Sequence, residues 1–157
     1  MLVRIEREGG GIMTRCELKL PDDFADKLNR LGNQTDEIIE ECLEAGGQVA
    51  LAKVKGNLSG VVGRGTKVKS RSSGELRNSL GVSPAKPKRD GTGWDVKVGF
   101  AEPRHGKGGS NAKIANILEY GRHGQPPKPF FRPAKTASKA GVVEAMKSKF
   151  EQLTGGL

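Results

Sequence analysis

A chain of 157 residues is the size of one domain and long enough to bury its own core without staples. The apolar fraction is only 34% and 23 residues are glycine, so the core is modest and suits a compact sheet with helices, or a fold completed by neighbours. A net charge of +9 points to an anionic partner or an acidic protein surface, while no apolar run approaches the roughly 20 residues of a membrane span.

Residues 1–13 read as a flexible lead-in of mixed charge containing Gly9-Gly10-Gly11, and Met13 is a second candidate start. Arg4, Glu6, Arg7 and Glu8 interrupt any signal-peptide core. The remainder, 14–157, reads as one α+β domain. Its two cysteines, Cys16 and Cys42, have no C-x-x-C or zinc spacing and are expected to be reduced thiols.

Cys16 to Leu20 alternates like a short strand. Pro21-Asp22-Asp23 then opens a helix with Phe24, Leu28 and Leu31 on one face, closed by Gly32-Asn33. Thr35, Asp36 and Glu37 start a longer helix, with Ile38, Cys42, Ala45, Val49 and Ala52 as its stripe and Ile39 and Leu43 widening it. Gly46-Gly47 in its middle implies either a kink or the close approach of another backbone.

Between Lys53 and Arg89 ten basic residues face one acid, Glu75. Glycines at 56, 60, 63 and 65 predict a mobile basic loop over 56–72. Without aromatic residues it lacks a stacking platform for single-stranded nucleic acid, although attraction to a phosphate backbone remains open. Candidate contact residues for a partner protein or DNA are Arg64, Lys67, Lys69, Arg71, Lys86, Lys88 and Arg89.

A strand is expected at Leu80–Ala85, a turn at Arg89–Gly93, and a second strand where Trp94, Val96, Val98 and Phe100 alternate with Asp95, Lys97 and Gly99. The two form an antiparallel hairpin. Ser110 or Asn111 caps a short helix bearing Ile114, Ile117 and Leu118, with Gly121 as its stop.

The segment Glu119 to Ala134 holds four of the eight prolines and three of the seven aromatics. Its prolines exclude helix and predict an extended connector. Pro133 suits the first turn of a last helix with Ala137, Val143, Met146, Phe150 and Leu153 on one face, and 154–157 trail off. The fold class is therefore α+β: a long N-terminal helix and a C-terminal helix packed on a small antiparallel sheet, with a long basic loop.

Catalytic signals are weak. Gly60 to Gly65 lacks the flanking features of a phosphate-binding loop or dinucleotide fingerprint. His105 and His123, beside Glu102 and Glu119, lack the convergent partners of a metal or acid–base site. No enzyme activity, cofactor or metal is expected.

Three blocks in order carry a resemblance: Ser73-Gly74-Glu75-Leu76-Arg77-Asn78-Ser79-Leu80, Ile117-Leu118-Glu119-Tyr120-Gly121, and Pro129-Phe130-Phe131-Arg132-Pro133-Ala134. Together they resemble the tail-completion or head–tail joining proteins of long-tailed phages, typified by gene product ten of a lambda-like coliphage. The resemblance spans about residues 20–153. It implies a structural subunit of the virion neck, made in the host cytoplasm, that forms a homo-oligomer or ring and contacts connector, tail-terminator or tail-tube proteins. DNA passing through the neck is a further candidate contact. Expected interface residues are Tyr120, Phe130 and Phe131, with Arg122 and Arg132 at the rim. The two phenylalanines have a competing reading, as a staple fastening the last helix to the sheet. The basic loop departs from the family pattern in its length, its charge and its lack of proline.

Overall fold

The computed structural model describes residues 16–18, 35–64, 72–102 and 110–155. The expected lead-in, the helix from Pro21 and the core of the basic loop lie outside these residues. The elements are β1 (Cys16–Leu18), α1 (Thr35–Val61), α2 (Glu75–Asn78), β2 (Leu80–Val82), β3 (Lys86–Pro87), β4 (Trp94–Phe100), α3 (Asn111–Tyr120) and α4 (Phe131–Thr154).

β4 is the central strand, with β1 antiparallel on one side and β2 on the other. The expected Leu80–Ala85 strand divides in two. Gly81 faces Gly99, but Lys86 faces Asp95, so the register slips by one residue between β2 and β3. Pro84 in that interval cannot donate to the ladder, and the extra residue is absorbed as a bulge. Ser83 repairs part of the break: its N–H donates to the Lys97 carbonyl at 2.7 Å and its Oγ accepts from the Lys97 N–H at 3.0 Å. At the turn, Asp90 Oδ1 accepts from Thr92 N–H and Oγ1, which holds its carboxyl below the usual range.

α1 is one continuous helix of 27 residues, with no break at its paired glycines. Both glycines are buried, and each serves a different neighbour. A Cβ on Gly46 would stand 2.5 Å from Met146 Cε of α4, and one on Gly47 would stand 2.8 Å from Val82 Cγ1 of β2. The close approach expected from the sequence is real, but side chains make it rather than a backbone. α1 is thus the middle layer, with the sheet on one side and α4 on the other.

That position explains why its apolar stripe differs from the expected one. Beyond the glycines the buried residues are Ala50, Val54 and Leu58, while Val49 is half-buried and Ala52 exposed. The helix also runs through Gly56 and Gly60 to Val61, so the predicted loop from 56 is corrected. Complete burial of Leu58 outweighs the helix cost of two exposed glycines, about 1 kcal/mol each.

α4 shows a similar shift. Its buried residues are Phe131, Ala134, Ser138, Val142 and Met146, whereas Ala137 is exposed and Val143 half-buried. Lys149 and Glu41 close the α1–α4 seam at 2.7 Å.

Cys42 lies in that core with no exposed surface. Burial, and then the neighbouring Glu41 charge, push its thiol up to about 11, with Lys149 opposing. Cysteine reacts as the thiolate, so in a Cys16→Ser background Cys42 is expected to resist a disulfide reagent at pH 8 until the protein unfolds. Rapid stoichiometric labelling of the folded variant would contradict this burial. Because the folded thiol ionises later than the unfolded one, its contribution to stability is kept below about pH 9 and falls as pH rises towards 11.

Candidate functional site

The Glu119–Ala134 connector gathers most of the expected contact residues, and its geometry begins at α3. Ser110 caps that helix through Oγ, which accepts from the Lys113 N–H at 3.1 Å. Glu102 Oε1 accepts from the Ala112 N–H and from Ser110 Oγ, both at 2.7 Å. The Asn111 amide donates to the Ala101 carbonyl at 3.0 Å. These bonds fix the start of α3 to the end of β4, and therefore fix the direction in which its last turn projects.

In that last turn adjacent residues point to opposite environments. Glu119 is 4% exposed and Tyr120 is 47% exposed. The Glu119 carboxylate lies against the first turn of α4. Oε2 accepts from the N–H groups of Phe130 and Phe131 at 2.8 Å each, and Oε1 accepts from Arg132 N–H at 2.9 Å. The next residue is Pro133, which has no N–H, and Ala134 N–H donates to the Phe130 carbonyl at 3.3 Å. Every donor of the helix start is therefore accounted for, three by one carboxylate and one by proline. The negative charge also sits at the positive end of a 24-residue helix.

Gly121 makes the reversal after α3. Its φ is +78°, and a Cβ there would stand 2.8 Å from the Gln125 carbonyl oxygen and 2.9 Å from Pro127 N. Only glycine satisfies both demands. Arg122 and Gln125 then exchange backbone hydrogen bonds at 3.0 and 2.9 Å across His123-Gly124, and Arg122 Nε donates to the Gln125 side chain. Pro126, Pro127 and Pro129 lie outside any helix, as expected, whereas Pro133 falls within the first turn of α4. The connector is tied back by Lys128 N–H to the Leu118 carbonyl at 2.7 Å, and Asn57 of α1 donates to the Phe130 carbonyl at 3.1 Å. Lys128 Nζ donates to the Arg64 carbonyl, which brings the end of α1 beside the connector.

The expected interface residues divide into two groups. Phe130 and Phe131 are 0% and 3% exposed, and both pack on Phe100 with ring centroids 6.2 and 6.5 Å away. Their reading as partner-facing anchors is corrected to the competing one: they fasten α4 to the end of β4. The physical reason is direct, since burying two phenylalanines against a third is worth several kcal/mol. Tyr120, Arg122 and Arg132 remain on the surface. The Arg132 guanidinium lies 6.0 Å from the Tyr120 ring centroid, within cation–π range. Beside them Tyr120, Arg122, Gln125, Pro126 and Pro127 line an open depression of about 500 Å³.

Of the basic candidates, Arg64, Lys86 and Arg89 are exposed and Lys88 is half-buried. Lys67, Lys69 and Arg71 lie outside the described residues. His123 is exposed on the tight turn, and the Glu119 oxygens are engaged by the backbone N–H groups of Phe130, Phe131 and Arg132. Among the described residues no group of three or more His, Cys, Asp and Glu could hold a metal, and no helix is long and apolar enough to cross a membrane.

Sequence reasoning missed the Glu119 clamp. Its partners are eleven to thirteen residues away, beyond the reach of local capping rules. The available signal was an isolated glutamate at a helix end followed by a proline-flanked helix start.

Comparison with known families then adds a match over residues 22–121 to the model described as "Bacteriophage HK97-gp10, putative tail-component". The matched stretch contains α1, the sheet strands β2 to β4 and α3, and stops at Gly121, before α4. No curated protein and no solved structure matches the chain.

Proposed function

The chain belongs to the HK97-gp10-like family of phage tail components, and from that premise we propose that it is a structural subunit acting in tail completion or head–tail joining at the neck. It works in this reading without chemistry, assembling with its own copies around the tail axis. Its neighbours are the connector, tail-terminator or tail-tube proteins.

The observation that carries the contact assignment is the rigid presentation of Tyr120. Glu119 is locked to the start of α4, so the next residue is held outward with Arg132 beside it and Arg122 on the adjoining turn. Exposed aromatic and arginine side chains on a preorganised backbone are what protein interfaces use most. An acidic surface on a neighbouring virion protein suits this face, given the net charge of +9.

Tyr120→Ala combined with Arg122→Ala is expected to leave the fold and its melting temperature close to wild type, since both side chains are exposed. Joining of heads to tails in a complementation assay is expected to fall by at least about tenfold, the loss typical of removing an interface anchor. Normal particle yield from the folded double variant would remove this face from the contact. Purified virions imaged with a label on the protein test its place at the neck directly. A second reading is contact with DNA, favoured by the exposed Arg64, Lys86 and Arg89. It takes over if the double variant joins normally and the purified protein binds duplex DNA with an affinity that falls steeply with salt.

A further inference from the structure

β2 ends the sheet on one side, and although Arg77 precedes it and Pro84 and Lys86 follow it, the strand itself carries none of the usual edge guards. Ser79 to Ser83 contains no charged residue and no proline in a chain that is 29% charged. Exposed edges are usually guarded by lysine, proline or a covering element, because unpaired backbone groups invite another strand.

The hydrogen bonds fix which groups are free. The Ser79 carbonyl accepts from Ala101 N–H, and Ser83 N–H donates to the Lys97 carbonyl. With Gly81 opposite Gly99, residues 79, 81 and 83 turn their backbone groups towards β4. The N–H and C=O groups of Leu80 and Val82 therefore point away from the sheet. Among the described residues no backbone group covers them.

Gly81 has no internal explanation. Its φ is not in the left-handed region, and a Cβ built there meets nothing within 4 Å. Glycine weakens a strand, and where neither φ nor packing requires it, close approach of another backbone is a standing reason. The adjoining outer face is hollow, an apolar depression of about 320 Å³ lined by Gly81, Val82, Gly99 and Phe100 among others.

We infer that this edge pairs with the same edge of a second copy, antiparallel about a two-fold axis at Gly81. The pattern is self-complementary. Leu80 of one copy faces Val82 of the other, and the two pairs exchange four N–H···O=C bonds. Gly81 then meets its own counterpart as a non-hydrogen-bonded pair, where Cα atoms approach to about 4.5 Å and side chains crowd most. Glycine at that point removes the crowding, and the uncharged flanks let two strongly basic chains approach. A two-fold contact does not propagate around an axis, so this pair describes the free protein and is distinct from any ring contact. It does not depend on the tail-completion reading.

The test uses charge at the axis. Wild-type protein is expected to show a concentration-dependent dimer in sedimentation. Gly81→Lys and Gly81→Glu should each fold, because the added side chain enters open space, and each should weaken the dimer by at least about tenfold. Mixing the two variants should restore a heterodimer, since the opposite charges then face each other. A wild type that stays monomeric up to its solubility limit would overturn the inference. So would variants that weaken association without recovery on mixing, which would mean a head-to-tail contact instead. Amide exchange of Leu80 and Val82 in the wild type gives an independent reading. Protection that grows with protein concentration supports the pair, and unchanged exchange overturns it.

Discussion

Glu119→Ala is expected to lower the stability of the fold by about 3–5 kcal/mol, because it leaves three backbone donors at a buried helix start without an acceptor. A typical domain has about 5–15 kcal/mol in total, so the loss is a large part of what holds the chain folded. Two effects add. The carboxylate forms charge-assisted bonds, individually stronger than neutral ones, and its charge opposes the dipole of α4. Glu119→Gln separates them. Its single amide oxygen retains part of the hydrogen bonding but no charge, and its NH₂ group faces a backbone donor, so a loss of about 1–3 kcal/mol is expected. Urea unfolding of the three proteins, read by circular dichroism, gives the order wild type, glutamine, alanine. If alanine costs less than about 1 kcal/mol, the carboxylate is not what sets the start of α4. The order matters for function too, since the same clamp aims Tyr120 outward.

The second large effect lies in α1, where replacing a glycine has one sign at its centre, at Gly46, and the opposite sign near its C-terminal end, at Gly56 and Gly60. Gly46→Leu is expected to destabilise by about 1–3 kcal/mol, despite leucine's better helix propensity. Its Cβ alone would meet Met146 Cε at 2.5 Å, Met146 Cγ at 3.0 Å and Val142 Cγ1 at 3.2 Å. The thioether end can move, but Val142 is β-branched, fully buried and stiff at χ1. α4 must then move away from α1. By contrast Gly56→Ala and Gly60→Ala, where a Cβ meets nothing within 4 Å, should each stabilise the helix by up to about 1 kcal/mol. Thermal melting of these variants checks both signs. A Gly46→Leu protein as stable as wild type would show that the α1–α4 spacing is not set at this glycine.

Several elements were legible because their signal is short in range. Strict alternation from Trp94 to Phe100 specifies a strand with one buried face, and the structure places Val96, Val98 and Phe100 in the core. The turn chemistry of Arg89 to Gly93 and the cap at Ser110 depend on neighbouring residues, and both are found where the sequence puts them. Pro126, Pro127 and Pro129 keep the connector out of helix because each lacks an N–H and clashes with the preceding turn, whereas Pro133 is tolerated in the first turn of α4. The family is legible too, since residues 22–121 match it and two of the three resembling blocks fall inside that stretch.

The misread faces share one physical cause. A helix packed on a single surface shows one stripe, but α1 is covered on two sides, so its buried set is wider and turns away from Val49 and Ala52. α4 follows α1 rather than the sheet along most of its length, which selects Ser138 and Val142 over Ala137 and Val143. Local propensity ends a helix near Gly56 and Gly60, yet Leu58 is buried between them and the helix continues. Packing partners remote in sequence decide such cases.

For this protein the sequence by itself located the strand from Trp94 to Phe100, the capped helix α3, the long helices α1 and α4 and the connector between α3 and α4, and identified which family the chain joins, since those depend on short-range spacing, caps and proline. The tertiary structure alone decided what the connector's residues do. Only when α3 and α4 are brought together can one carboxylate take three N–H groups, send both phenylalanines into the core and leave Tyr120, Arg122 and Arg132 as the exposed face.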